Sequence, residues 1–311
     1  MVSTGSPRSA DSVSEVPAET LDRVPSIGRL IATAATQRTK AGGENSPASL
    51  PERVVLLEDV EIDVRALADY CHLLQVAMRD HLPTSYLHVL TFPLQVHLMA
   101  SPDFPFPMAG MVHIANTMTV HRPVGVAERL RLSVHAGDLT PHPKGVAVDL
   151  MGEVTSDGNT VWRGRSTYLV RGVGKQSSTT ASASARELAG WGEDPAAMAS
   201  VAQWRLGADL GRRYAAVAGD VNPIHLSALA ARAFGFPRAI AHGMWTHARA
   251  LGALEGRLDP RHTVSVEFRK PILLPSTVAF RLRRSDAGYT FAVTDREGER
   301  EHMIGTAGHA D

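Results

Sequence analysis

The chain carries one pattern twice. Shifted by 148 residues, Met118, Val120, Pro123, Val124, Leu130, Leu132 and Val134 fall on Val266, Phe268, Pro271, Ile272, Val278, Phe280 and Leu282. The match runs without a gap over 17 positions, and the basic pairs His121-Arg122 and Arg269-Lys270 coincide as well. In both copies apolar residues recur at every second position, as in Val264, Val266 and Phe268, which predicts strands with one buried face. Alternating segments at Val146–Val154 and Thr160–Val170, and again at Gly288–Asp295 and Glu301–His309, extend each copy into an antiparallel sheet. A helical segment precedes each sheet, Leu87–Ala100 in the first copy and Gly243–Arg257 in the second. The plan is α+β: a helix followed by a curled antiparallel sheet, twice.

The length, 311 residues, suits two such units. Residues 1–50 are rich in Ser, Pro, Thr and Gly, with a short apolar interruption near Ile27–Ile31, and predict a mobile leader. The first unit follows at 51–171. Residues 172–199 begin GVGKQSSTTASAS and predict a linker before the second unit at 200–311. The GVGK run is no phosphate loop, because position 169, where that loop requires glycine, is Leu. Basic and acidic residues balance at 32 each, which removes any electrostatic case for a nucleic-acid or anionic-membrane partner. No apolar run approaches the ~20 residues of a membrane span. The start, Met1–Glu19, lacks the apolar core of a secretory signal. A single cysteine, Cys71, permits neither an internal disulfide nor a Cys-rich zinc site, and points to a reducing, cytoplasmic setting.

The two copies differ in one segment. With Tyr70 paired to Tyr214 and Pro83 to Pro237, the first copy spans 13 residues and the second 23, so about ten residues belong to the second copy alone. That insertion contains Gly219-Asp220-Val221-Asn222-Pro223-Ile224-His225 and a helical stretch ending at Gly235. Asn222 is a favoured N-cap, Pro223 suits the first helical position and Gly235 the exit. His225 then sits in the first turn, and Asp220 just outside it can fold back toward the imidazole. The positive end of the helix favours a neutral His225 and an ionised Asp220, a pair able to position a water and move its proton. The same residues also describe an ordinary capped helix with a hydrogen-bonded histidine. Downstream, Ile240-Ala241-His242-Gly243-Met244-Trp245 opens the second long helix. Gly243 offers a backbone N–H with no Cβ in front of it, suited to an oxygen gaining negative charge, and equally suited to close helix–sheet packing. His242 has apolar neighbours and no nearby carboxylate in sequence, and is read as structural.

GDVNPIH followed about twenty residues later by AHGMW resembles the MaoC-like family of (R)-specific enoyl-CoA hydratases and 3-hydroxyacyl-thioester dehydratases, the type-2 hydratases. The resemblance covers roughly residues 206–310 and implies the double-hotdog fold, two long helices each wrapped by antiparallel sheet, with a degenerate first hotdog. It implies that Asp220 and His225 hold and activate water, that Asn222 shapes the turn, and that Gly243 donates its N–H to the thioester oxygen. The departure is that residues 70–83 contain no Asp-x-x-x-x-His segment, which leaves one site per chain.

The expected reaction is reversible conversion of a trans-2-enoyl thioester into the (3R)-3-hydroxyacyl thioester, with no metal and no redox cofactor. The substrate is carried on coenzyme A or on an acyl-carrier protein, and a homodimer stays open, although two fused hotdogs can reproduce that pairing inside one chain. Arg269 and Lys270 are candidates for contact with a coenzyme A phosphate, or a solvated strand end. Two other readings compete: a non-catalytic acyl-thioester binding or partner protein, and a hotdog thioesterase. The first copy, lacking the insertion, is expected to leave an apolar acyl tunnel lined by Leu87, Val89, Leu90, Leu94 and Met99. Neither a Gly-x-Ser-x-Gly elbow nor a His-Glu-x-x-His helix is present. Cys71 and the histidines at 72, 81, 88, 97, 113 and 262 are read as structural or surface residues.

Overall fold

The computed structural model describes residues 16–36, 49–108, 110–173 and 195–310. The first unit runs β2 (Val54–Val60), α2 (Val64–Leu74), α3 (Thr84–Ala100), β3 (Met111–Val120), β4 (Leu130–His142), β5 (Gly145–Ser156) and β6 (Asn159–Arg171). The second runs β7 (Ala199–Leu206), α4 (Leu210–Ala218), α5 (Pro223–Leu226), α6 (Ala228–Ala233), α7 (Gly243–Ala253), β8 (His262–Phe268), β9 (Ser276–Ser285), β10 (Gly288–Asp295) and β11 (Glu301–His309). Alternation drives the strands: in β4, Leu130, Leu132 and Val134 are buried while Arg131 faces water.

The strands form one sheet, ordered β2-β4-β5-β6-β3 from one side and β7-β9-β10-β11-β8 from the other, the halves meeting at β3 and β8. That order reads the same from either end. At the junction Thr117 faces Ser265, its partner under the 148-residue shift, with hydroxyls 3.1 Å apart. The local two-fold axis therefore passes between them. The chain is a double hotdog whose two sheets are continuous, each wrapped around its helix, α3 or α7. Both helices are apolar on nearly every side, which is the composition of a helix enclosed by protein.

Helix boundaries differ from the sequence expectation. The first helix starts three residues before Leu87, at Thr84, and the second ends at Ala253 rather than Arg257. The duplication also has another register here. Isolated bridges join His81 to Gly125 and Ile240 to Leu273; Gly125 and Leu273 keep the 148-residue spacing, so His81 corresponds to Ile240 and Thr84 to Gly243. The pairing of Pro83 with Pro237 is superseded. The residues peculiar to the second copy form α5 and α6, two short helices rather than one. Ser227 breaks them with extended backbone (φ −149°, ψ 151°) and caps the second through its hydroxyl.

The leader expectation is corrected for residues 18–36. Ala18–Leu21 form β1, parallel to β2 at the edge of the sheet, and Ile27–Thr36 form α1 against α3. Glu19 accepts from Arg53 and contacts His97, both at 2.7 Å, and Ile27 is buried. Residues 1–15 and 37–48 of the leader, and 174–194 of the linker, lie outside the described residues. No helix among the described residues is long and apolar enough to cross a membrane.

Candidate active site

Helix α4 ends in Gly219, whose left-handed backbone (φ 75°) reverses the chain and delivers Asp220. Helix α2 in the first copy ends the same way, at Gln75 (φ 54°), and the next residue there is Val76. Valine thus stands where the second copy has its carboxylate. Beyond Asp220, the Asn222 side chain accepts from Ile224 N–H and caps the single turn of α5 that holds His225. Gly211 of α4 lies against that turn: a Cβ there would come 1.9 Å from the His225 carbonyl oxygen.

His225 is 8% exposed, and its Nδ1 lies 2.8 Å from the Ile240 carbonyl. A carbonyl only accepts, so Nδ1 carries the proton and Nε2 keeps its lone pair. Asp220 is 27% exposed; one oxygen accepts from Asn222 N–H at 3.2 Å. Burial lowers the pKa of His225 against the opposing pull of Asp220. Burial would raise Asp220, but His242, His225 and the Asn222 N–H outweigh it, and its carboxyl titrates below the usual range. A neutral imidazole beside a carboxylate was the expected state. Its cause is burial and close partners rather than a helix dipole, since α5 has only four residues.

His242 corrects the sequence reading. It is 2% exposed and stacks on His225 with ring centroids 3.7 Å apart. Its Nε2 lies 3.0 Å from the Asp220 carbonyl oxygen and 3.8 Å from a carboxylate oxygen of the same residue. Polar atoms of Asp220, His225 and His242 all lie within 4.8 Å of one another. One carboxylate and two imidazoles are donors a divalent cation accepts. Here, however, His242 Nε2 is spent as a donor to a backbone carbonyl, so its ring would have to turn before that nitrogen could ligate.

Gly243 begins α7, where the N–H has no partner inside the helix. A Cβ at this position would stand 3.0 Å from the Phe268 ring, so glycine suits the close packing against β8 and a larger residue would need the ring to give by a few tenths of an ångström. Arg269 and Lys270 follow Phe268 directly and are exposed. Arg269 is paired with Glu267 at 2.6 Å, and the Lys270 carbonyl receives His302 Nδ1. In the first copy Arg122 instead makes a two-pronged pair with Glu128.

Two cavities flank the contact of α3 with α7. The small one, with room for about one water, is lined by His88, Val89 and Phe92 of α3, by Tyr214 and Ala218 of α4, and by Asp220 and Met244. The larger, about 360 Å³, is lined among others by Leu74, Val76, Ser85, Ala248 and Leu251. Under the two-fold relation these are the counterparts of Ala218, Asp220, Met244, Val89 and Phe92. The larger cavity is therefore the first copy's version of the Asp220 site, with the carboxylate gone. The two share no lining residue; of the residues expected to line an acyl tunnel, Leu87 lines the larger, Val89 the smaller, and Leu90, Leu94 and Met99 neither.

Comparison with known proteins agrees with this geometry. The chain is 34% identical over 260 residues to 3-hydroxyacyl-thioester dehydratase X of Mycobacterium tuberculosis, spanning 83% of this chain and 89% of the relative. The chain belongs to the MaoC-like dehydratase family. The MaoC-like domain itself matches residues 180–303, the copy that holds Asp220 and His225. The crystal structure of HtdX from M. tuberculosis superposes with a TM-score of 0.71 at 31% identity, over 83% of this chain and 100% of that one. A MaoC-like dehydratase from Phytophthora capsici shares the fold at 17% identity, TM-score 0.64, over 86% of this chain and 96% of that one. In this MaoC-like chain the residues that sequence reasoning missed are His242 and His88. Both were passed over because Asp220, which His242 contacts and which lines the small cavity with His88, is remote from them in sequence.

Proposed function

We propose that the chain catalyses the reversible addition of water to a trans-2-enoyl thioester, giving the (3R)-3-hydroxyacyl thioester, in fatty-acyl metabolism. The observation that carries this reading is the clustering of Asp220 with His225, whose Nδ1 is held by the Ile240 carbonyl so that Nε2 keeps its lone pair, in the copy that the family domain matches. The relative's designation as a 3-hydroxyacyl-thioester dehydratase supports the same substrate class.

Water held between the Asp220 carboxylate and His225 Nε2 adds its oxygen to C3, and a proton passes from the pair to C2. The two groups titrate as one unit, so the proton belongs to the couple. The thioester oxygen, gaining charge as the enolate forms, accepts the Gly243 N–H, a contact whose loss costs ~3 kcal/mol or about a hundredfold in rate. The step balances without a metal or a redox cofactor. Asn222 keeps the turn in place. Arg269 and Lys270 lie one and two residues past Phe268, which packs on Gly243, and this placement suits a coenzyme A phosphate that shares Arg269 with Glu267. Coenzyme A is the carrier this favours over an acyl-carrier protein. A reducing, cytoplasmic setting belongs to the same proposal, since the single cysteine is buried and unpaired.

Monitoring enoyl absorbance and free thiol in one cuvette tests the reading. Wild-type protein should consume the conjugated double bond without releasing thiol, and Asp220→Asn should lower that rate at least a hundredfold. Thiol release would favour a thioesterase, and no change in either signal would favour a binding protein.

A further inference from the structure

The two-fold relation that maps Thr84 onto Gly243 also maps His88 onto His247, one turn into α3 and α7. Both rings are buried, at 3% and 0% exposure. His88 Nδ1 and both nitrogens of His247 lack hydrogen-bond partners. A buried polar atom left unpaired costs roughly 1–3 kcal/mol, and leucine would fill either place without that cost. Their surroundings differ. His88 lines the small cavity together with Asp220, Tyr214 and Met244. His247 lines neither cavity, and the residue corresponding to Asp220 on its side is Val76. His88 thus brings an imidazole with one unpartnered nitrogen to the wall of the cavity that Asp220 also lines, although it comes from the copy with no Asp/His segment.

We infer that His88 is a substrate-contacting residue of the Asp220 site, its imidazole hydrogen-bonding the oxygen that is added to or removed from C3. This rests on the hydration reading above and deepens it: the degenerate copy contributes a polar group as well as a wall. Burial lowers the His88 pKa to about 4, so the ring stays neutral at pH 7 and can both donate and accept. Such a contact discriminates substrates, because a site built to hydrogen-bond a hydroxyl penalises the analogue that lacks it.

The test compares binding and turnover in the full chain. Calorimetry with (3R)-3-hydroxybutyryl-CoA and with butyryl-CoA should give tighter binding of the hydroxylated ligand by at least fivefold in wild type. His88→Phe should abolish that preference and lower kcat/KM for crotonyl-CoA tenfold or more, with the melting temperature unchanged or raised. His88→Asn or His88→Gln should restore part of both, and either carries the test should the phenylalanine variant not fold. His247→Phe, the two-fold counterpart, should leave preference and turnover as in wild type. The inference is overturned if wild type shows no preference, if His88→Phe keeps wild-type preference and turnover, or if His247→Phe loses as much as His88→Phe. If wild type hydrates no enoyl thioester yet binds with a His88-dependent preference, the reaction assignment fails and the contact stands.

Discussion

The imidazole of His225 lies on that of His242, ring centroids 3.7 Å apart and planes 26° from parallel. Two rings at this spacing cannot both take a proton without strong repulsion, and neither can shed the charge into water. Burial, with His225 adding to it, lowers the His242 pKa to about 3. Burial also lowers His113 and His247 to about 3.

Acid should therefore destabilise the fold well above the carboxylate range. These histidines titrate lower folded than unfolded, so the unfolded chain binds more protons as pH falls below about 6.5, and stability drops by ~1.4 kcal/mol per pH unit for each such group. Asp220, also lowered, keeps its contribution until pH falls below about 3.9. Urea unfolding at pH 7.5 and pH 5 should give a clearly lower midpoint at pH 5; equal midpoints would contradict the buried neutral histidines.

Replacing His242 by Phe keeps a ring on His225 but removes the N–H that faces Asp220. Because His242 helps hold the Asp220 pKa down, the acid limb of kcat/KM against pH should move upward, with turnover at pH 7 reduced roughly tenfold. An unmoved limb would make His242 a packing residue only.

Gly243→Ala retains the backbone N–H but drives a Cβ toward Phe268. Overpacking of this kind costs ~1–3 kcal/mol, and turnover should fall with the displaced helix start. Adding Phe268→Leu should recover both melting temperature and rate. Recovery of stability without rate would argue against the amide's role.

Gly211→Ala lies outside the reacting groups yet should lower turnover at least tenfold, because its Cβ would collide with the His225 carbonyl. Thermal melts and kinetics on the same preparation would reveal whether the enzyme stays folded while His225 is displaced.

Ile27→Asp should likewise act at a distance. The Ile27 side chain closes on Gly219, whose Cβ, were one present, would meet it at 3.1 Å. Burying a charge there should lower the melting temperature and slacken the Asp220 turn, visible as a raised KM.

The strands were legible because period-two alternation is a local signal, and Gly288–Asp295 and Glu301–His309 appear with the bounds read from sequence. The 148-residue shift survives as the Thr117–Ser265 pairing. The Asp220–His225 couple could be read because both residues lie on one short turn. What escaped depends on distant partners. β1 and α1 are short pieces in a stretch otherwise rich in Ser, Pro, Thr and Gly, and gain their order from β2 and α3. The break at Ser227 follows from its hydroxyl capping the next turn, a choice the helical pattern conceals. His88 and His242 acquire meaning only once Asp220 stands beside them.

The covalent connection between the two halves, whose sheets meet at β3 and β8, frees the molecule from a constraint that binds every symmetric pair. In an assembly of identical subunits each substitution near the axis is made twice, so a change that helps one pocket is imposed on its mirror image. Here position 76 is valine while position 220 is aspartate, and a histidine at 88 can be tuned without touching 247. One half is free to specialise in chemistry and the other in shape, with their one-to-one ratio guaranteed by a peptide bond.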